Sequence, residues 1–269
     1  MDTTNLAGRT VLVTGAGSGI GRETALLCAQ RGADLVICDV DDAGLAETES
    51  RARALGREVL ARHVDVADRE AMRAFAADVD RVDLLVNNAG VGVSGEFLET
   101  PLEEWDWIVS INLMGVVHGC HFFVPKIPAG GHVVNLSSMA GYHATPALPA
   151  YVATKFAVLG LSEALREEFH DRRVGVTAIC PGVINTPITR STRGFGRSDD
   201  PELRERLVAM YERRNYGPDK VARNILKAVQ RNRIVAPVAP EAWIAWGLAR
   251  LSPRASGWVA RRMTDAGNR

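Results

Sequence analysis

Val11–Thr14 is an apolar run of strand length that opens directly into Thr14-Gly15-Ala16-Gly17-Ser18-Gly19-Ile20-Gly21, and an amphipathic segment from Ile20 to Arg31 follows. A strand that feeds a helix through four glycines restricts the fold more than any other part of the chain. Glycine lets the backbone turn tightly and lets a partner approach where a Cβ would clash. The same alternation then repeats. Asp34–Asp39, Glu58–Val64, Val82–Val86, His132–Leu136 and Val174–Ile179 read as strands, and segments near 42–55, 68–79, 103–124 and 150–170 read as helices. Strands that are apolar on both faces and alternate with helices require a parallel sheet covered on both sides. No linker rich in Pro, Gly or Ser divides the 269 residues, so one doubly wound α/β domain over 1–269 is expected.

Composition narrows the classes further. Hydrophobic residues make up 46% and charged residues 24%, enough apolar surface for a packed core and too much for a disordered chain. The formal net charge is zero, which argues against a nucleic-acid partner. The uncharged stretch from Trp107 to Pro125 carries Ser110, Asn112, His118 and His121, and reads as a buried core helix rather than a membrane span. The first ten residues show no basic segment followed by an apolar run, so no secretory signal is expected. Cys28, Cys38, Cys120 and Cys180 stand apart in apolar contexts. They read as small buried hydrophobes in a reducing, cytoplasmic location, and no metal site is expected.

The glycine turn carries the first chemical expectation. A helix N-terminus behind it offers free N–H groups and a partial positive charge to a pyrophosphate. The next strand ends in Asp39, eighteen residues beyond Gly21, near the spacing for an acid that binds a ribose. A carboxylate there accepts from the adenosine 2′- and 3′-hydroxyls and repels a 2′-phosphate, with Asp41 and Asp42 adding to the repulsion. Ser18 brings no cation into the turn, and Arg22, which begins the helix, is read as facing solvent. NAD is therefore favoured over NADP.

The second expectation rests on Tyr151-Val152-Ala153-Thr154-Lys155. Four residues apart on a helix, the Tyr and Lys share a face. The chain has only four lysines, at 126, 155, 220 and 227, so a lysine there is not background. Upstream, Asn135-Leu136-Ser137-Ser138 ends an apolar strand and places hydroxyls at the carboxyl edge of the sheet, where ligands bind.

With these motifs the chain resembles the short-chain dehydrogenase/reductase family over roughly residues 8–190. The glycine turn (Gly15, Gly17, Ser18, Gly19, Ile20, Gly21) matches the family's TGxxxGxG. Asp65-Val66 matches its adenine-contacting pair, and Asn87-Asn88-Ala89-Gly90 its NNAG stretch. Asn112, Ser138, Tyr151 and Lys155 match its catalytic tetrad, with Ser138 and Tyr151 thirteen residues apart. Pro181-Gly182-Val183-Ile184-Asn185-Thr186 matches the segment beside the nicotinamide.

The resemblance implies a Rossmann-like fold and an NAD-dependent oxidoreductase that interconverts a secondary alcohol and a ketone. Tyr151 would be the acid–base, with its pKa lowered from near ~10 by Lys155 and by the nicotinamide charge. Lys155 would also hold the nicotinamide ribose, Ser138 would position the substrate oxygen, and Asn112 would hold a water that relays protons toward Lys155. A non-catalytic dinucleotide sensor or scaffold on the same fold is the alternative class. Such a protein would be expected to lack part of the tetrad, and all four residues are present.

Other residues are read plainly. His118 and His121 lack a third ligand and read as core or subunit-contact residues, and Ser137 as structural. His143 lies in the loop where the substrate pocket is expected to open. Val91, Val93, Met139, Tyr142, Ala144 and Phe195 are candidates for an apolar pocket.

Residues 187–200 read as a polar loop, and helical character resumes near Glu202–Arg214 and Asp219–Gln230. The span 187–215 is taken as a substrate lid. Arg233–Pro237 reads as a last strand. Beyond it, 241–263 is an amphipathic extension in which Trp243, Trp246 and Trp258 interleave with Arg250, Arg254, Arg261 and Arg262. Two readings stand for it: a peripheral membrane contact, or a lid or subunit contact beside the pocket. The apolar helices near 103–124 and 150–170 predict a homodimer or homotetramer, and the resemblance implies that subunits bury them together.

Overall fold

The computed structural model describes residues 1–252 together with Arg254 and Gly257. Strand β1 (Thr10–Thr14) runs through the middle of a seven-stranded sheet. On one side lie β2 (Asp34–Asp39) and β3 (Val59–His63). On the other lie β4 (Leu84–Asn87), β6 (His132–Leu136), β7 (Gly175–Pro181) and β9 (Val235–Val238). The order is β3-β2-β1-β4-β6-β7-β9 and every pairing is parallel. The direction of winding reverses between β1 and β4, which opens a crevice at their carboxyl ends.

Side-chain alternation along the strands builds two cores. Val11, Val13, Leu35 and Ile37 face a layer formed by α1 (Gly19–Gln30), α2 (Asp42–Ala54) and α9 (Pro218–Gln230). Leu12, Val36, Leu85 and Val133 face α3 (Arg69–Ala77), α5 (Gly115–Phe123) and α6 (Pro149–Glu168). Phe75 and Phe123 meet edge to face in this second layer, with centroids 5.6 Å apart. Each fully buried side chain of this size contributes about 1.5–3 kcal/mol. The sheet is therefore the doubly wound, Rossmann-like architecture expected for one domain.

Below the sheet, at the amino end of β4, Asp83 is fully buried and holds Arg9, Arg81 and the Thr10 N–H. Burial pushes its pKa up, but Arg81, the Thr10 amide and Arg9 outweigh that and hold the carboxyl below its usual range.

Two expectations are corrected. The helix near 103–124 is not one regular helix. It runs as α4 (Leu102–Val109), a π-helical turn at Ser110–Met114, and α5, with no break in the rod. The whole stretch Leu102–Lys126 is long and apolar enough to cross a membrane by length and composition, and half of its most apolar window is buried inside this fold.

Residues 187–200 are not a plain loop either. They contain α7 (Ile188–Ser191), strand β8 (Arg193–Gly194) and a 3-10 turn at Gly196–Asp199. β8 pairs in parallel with β5 (Val93–Ser94) in a small separate ribbon. Helix α8 (Pro201–Arg214) comes next, and α10 (Pro240–Leu251) leaves the last strand. Trp258, Arg261 and Arg262, part of the extension 241–263, lie outside the described residues.

Candidate active site

The glycine turn is held by its neighbours rather than by its own sequence. Gly15 adopts φ 65°, and a Cβ there would stand 2.8 Å from Ala89 Cα. A Cβ at Gly21 would overlap the Gly15 carbonyl. Asn88 Nδ2 donates to the carbonyls of Thr14 and Gly15, both at 2.9 Å. Thr14 Oγ1 accepts from the amides of Asn88 and Ala89. The turn and the NNAG segment are thus one hydrogen-bonded unit, which explains why both motifs occur together.

Ser18, the residue ahead of α1, makes no side-chain cap, and the first turn holds no acid. The helices α2, α3 and α8 are capped by Asp41, Asp68 and Asp200. The first amides of α1 therefore face the crevice with no side-chain acceptor from their own cap residue.

Asp39 closes the β2 side of the glycine turn. One carboxylate oxygen accepts from Gly17 N at 2.7 Å and the other from Asp41 N at 3.0 Å. Arg22 does not face solvent. Its guanidinium donates to the carbonyls of Gly17 and Gly44 and to Thr48 Oγ1, and pairs with Glu47. It is a strut under the glycine turn, and its charge is spent there. Further along, Asp65 turns back on Ala67 N, and His118 Nδ1 lies 2.9 Å from the Val66 carbonyl. His118 is a core residue, as expected.

The tetrad converges above the carboxyl ends of β4, β6 and β7. Ser138, two residues beyond β6, is extended, accepts from Ala140 N at 3.1 Å and stands near enough to the phenol of Tyr151 to act on it. Tyr151 and Lys155 stand on the first two turns of α6. Lys155 is buried, its Nζ donates to the Leu136 carbonyl at 2.9 Å, and it lies 5.5 Å from the centre of the Tyr151 ring.

Burial pushes the Tyr151 phenol up to about 12, opposed by the Ser138 hydroxyl, and draws Lys155 down to about 8. The expected lowering of the Tyr151 pKa is thus reversed in the chain alone, because desolvation dominates.

Asn112 sits in the π turn. Its side chain brackets Val91, accepting from the Val91 amide at 2.8 Å and donating to its carbonyl at 3.0 Å. The second amide hydrogen reaches Thr154 Oγ1 at 3.3 Å. Both donors are consumed, so the side chain fixes the backbone after Gly90. Ser137 is structural, donating to the Lys155 carbonyl.

The pocket candidates divide. Val91 and Phe195 pack around Tyr151 with Trp105 and Trp107. Val93 is buried in the same cluster and Ala144 is exposed. Tyr142 is not a free lining residue: its hydroxyl donates to the Ala242 carbonyl at 2.8 Å and its ring meets Trp246. The Ile184 side chain is committed to the core, so its segment faces the crevice through its backbone. Thr186 lies against Gly19, across from the start of α1. Pro181 ends β7, and the N–H of Gly182, the next residue, donates to the Val238 carbonyl at 3.0 Å.

Sequence reasoning missed three contributors. Glu241, at the start of α10, accepts from the Val183 amide at 2.8 Å and pairs with Arg214. Tyr211 of α8 lies close enough to Tyr151 to act on its phenol electrostatically. Arg193 lies 3.5 Å over the Trp107 ring and pairs with Glu104, fastening the small ribbon to α4. No local pattern marks any of them, because each partner is far away in the chain.

Comparison with known proteins agrees with this geometry. The family model described as short chain dehydrogenase matches residues 9–195. "Probable oxidoreductase EphD" of Mycobacterium tuberculosis is 44% identical over 262 residues, which cover 93% of this chain and 44% of that protein. The chain thus spans less than half the length of that relative. A short-chain dehydrogenase/reductase from Burkholderia phymatum, solved with NAD, superposes with a TM-score of 0.84 at 31% identity, covering 92% of this chain and 93% of that one. A short-chain dehydrogenase from Burkholderia cenocepacia, solved with NADP, gives 0.77 at 26% identity, covering 88% and 99%. With the glycine turn locked to the NNAG segment and Ser138, Tyr151 and Lys155 gathered at one sheet edge, the chain belongs to the short-chain dehydrogenase/reductase family of oxidoreductases.

Proposed function

We propose that the chain is an NAD-dependent oxidoreductase that interconverts a secondary alcohol and a ketone on a largely apolar substrate, with Tyr151 as the acid–base. The observation that carries this reading is the Tyr151 ring with the buried ammonium of Lys155 5.5 Å from its centre and Ser138 beside its phenol. The crevice fits a dinucleotide: the α1 amides face it without a side-chain cap, and glycines stand wherever a Cβ would fill the turn. Asp39 and the cap of α1 would hold the adenosine and pyrophosphate ends, and Thr186 and Lys155 the nicotinamide end. The case for NAD over NADP is the Asp39 carboxylate, which a 2′-phosphate would meet as a like charge, while Arg22 is turned away into the fold.

A nicotinamide dinucleotide, when bound, supplies the hydride acceptor or donor and, oxidised, a positive charge near the phenol. The chain supplies the proton chemistry. Tyr151 Oη exchanges a proton with the substrate oxygen, and the Ser138 hydroxyl positions that oxygen. Lys155 favours the phenolate by its charge. Asn112 acts indirectly, by holding Val91 and hence the wall of the pocket. Val91, Phe195 and Met139 make that wall apolar, and residues 187–215 together with α10 frame its mouth.

Exposed Phe97, Leu98, Leu102 and Phe156, on and beside α4 and α6, support assembly as a homo-oligomer through these helices.

The test is NADH formation or consumption with a panel of secondary alcohols and ketones. Tyr151→Phe should keep NADH binding and lower kcat by about 10²–10⁴. A folded variant that retained more than roughly a tenth of wild-type kcat would remove Tyr151 from this role.

A further inference from the structure

Three segments meet at one carboxylate. The chain passes from β9 into helix α10 through Ala239, which holds φ 84° and ψ 152°, a conformation that costs a non-glycine residue energy. The first residues of the helix hold it there. Pro240 opens the helix, the Ala242 carbonyl accepts the Tyr142 hydroxyl, and Glu241 turns inward. One Glu241 oxygen accepts from the Val183 amide in the segment that runs on to Thr186. It fills the space that Gly182 leaves, since a Cβ at Gly182 would overlap it. The other oxygen pairs with Arg214, the last residue of α8. Two residues on, the Tyr216 carbonyl accepts from Asn185 N at 3.1 Å, so the end of α8 is stitched to the same segment from both sides. One turn before Arg214, Tyr211 is near enough to Tyr151 to act on its phenol electrostatically.

We infer that Glu241 is a positioning residue: through Val183 it fixes the 181–186 segment at the nicotinamide end, and through Arg214 it holds α8 over the substrate chamber, so that ordering either segment orders the other. The inference rests on the proposed function only for what the two segments contact; the clasp itself is a property of the chain. Glu241 is half-buried and Arg214 reaches it from the surface, and neither belongs to the tetrad. An ordinary surface pair would contribute about 0–1 kcal/mol and couple nothing. Here one side chain bridges backbone on one side and a helix end on the other.

Hydrogen exchange of 181–186 and 201–214, with and without NADH, tests the coupling beside an NADH titration. In the wild type, NADH should protect both segments. Arg214→Met and Glu241→Gln remove the ion pair, while the Gln carbonyl still accepts from Val183. In both variants NADH should protect 181–186 and no longer 201–214, with NADH affinity near wild type. Glu241→Ala should lose both effects and weaken NADH by roughly five- to ten-fold, the worth of one lost hydrogen bond. In the cofactor-free protein the same order should appear as faster exchange: 201–214 alone in Arg214→Met, both segments in Glu241→Ala. Should NADH fail to bind the wild type, the cofactor reading falls and these cofactor-free rates still decide the clasp. Protection of 201–214 by NADH that survives in Arg214→Met, or cofactor-free rates in Glu241→Ala equal to wild type, would overturn it.

Discussion

The two sides of the crevice are built on different principles. On the nucleotide side, main chain meets main chain. Glycines admit the Gly15 carbonyl and Ala89 at distances that no side chain would allow, Asn88 and Thr14 knit the turn to β4, and Asp39 and Arg22 brace it from below. On the substrate side, long side chains do the fastening. Arg193 reaches Glu104 and Trp107, Arg190 reaches Glu212, and Arg214 reaches Glu241. The first construction leaves no room for an added atom at Gly15 or Gly21. The second can let go one contact at a time, and its helices α8 and α10 leave Leu207, Met210, Trp243 and Ile244 exposed.

Three substitutions break or sharpen this contrast. Gly21→Ala should have the largest effect, because the new methyl overlaps the Gly15 carbonyl and crowds Asn88. Overpacking of this kind costs about 1–3 kcal/mol or more. A lower melting temperature and an NADH dissociation constant raised by roughly 100-fold are expected in calorimetry and fluorescence titration. A variant that bound NADH normally would show that the turn yields after all.

Asp39→Ala comes next. It removes the acceptor of Gly17 N and Asp41 N as well as the proposed ribose contact. Charge-assisted hydrogen bonds contribute about 1.5–3 kcal/mol, so NAD should weaken by roughly 10- to 100-fold and NADP by less. Equal losses for both cofactors would show that Asp39 braces the turn without selecting.

Arg193→Met, on the other side, should raise the substrate KM by only about two- to five-fold, the worth of a half-exposed ion pair and a cation–π contact, and leave NADH affinity unchanged. An NADH defect in this variant would mean that the two sides are not separable at the small ribbon.

Legibility in the sequence divides along the same line. The glycine turn, Asp39 and the Tyr151–Lys155 pair are short-range patterns whose chemistry demands particular residue types at fixed spacing, the NNAG segment and Asn112 are legible only through the family resemblance, and the fold comes from strands apolar on both faces. Arg22 is not legible, because a helix-opening arginine shows no sign of which carbonyls lie beneath it. Tyr142 is hidden for a similar reason: its hydroxyl finds Ala242, one hundred residues away. Glu241 is invisible because its partners stand 58 and 27 residues distant. The Tyr151 shift differs in sign from the expectation, since burial cannot be read from the pattern around a tyrosine.

The π turn at Ser110–Met114 bears on chain length. Each residue of a helix adds about 100° of rotation, so the wider turn resets the angular phase of everything beyond it. Ahead of the reset, Ile108 points into the cluster around Tyr151; after it, Val116, Cys120 and Phe123 point into the sheet core. A rod of constant phase would have to favour one of these two directions. The segment from Leu102 to Phe123 is therefore a counted stretch, in which gaining or losing one residue would rotate half of the rod out of its seat.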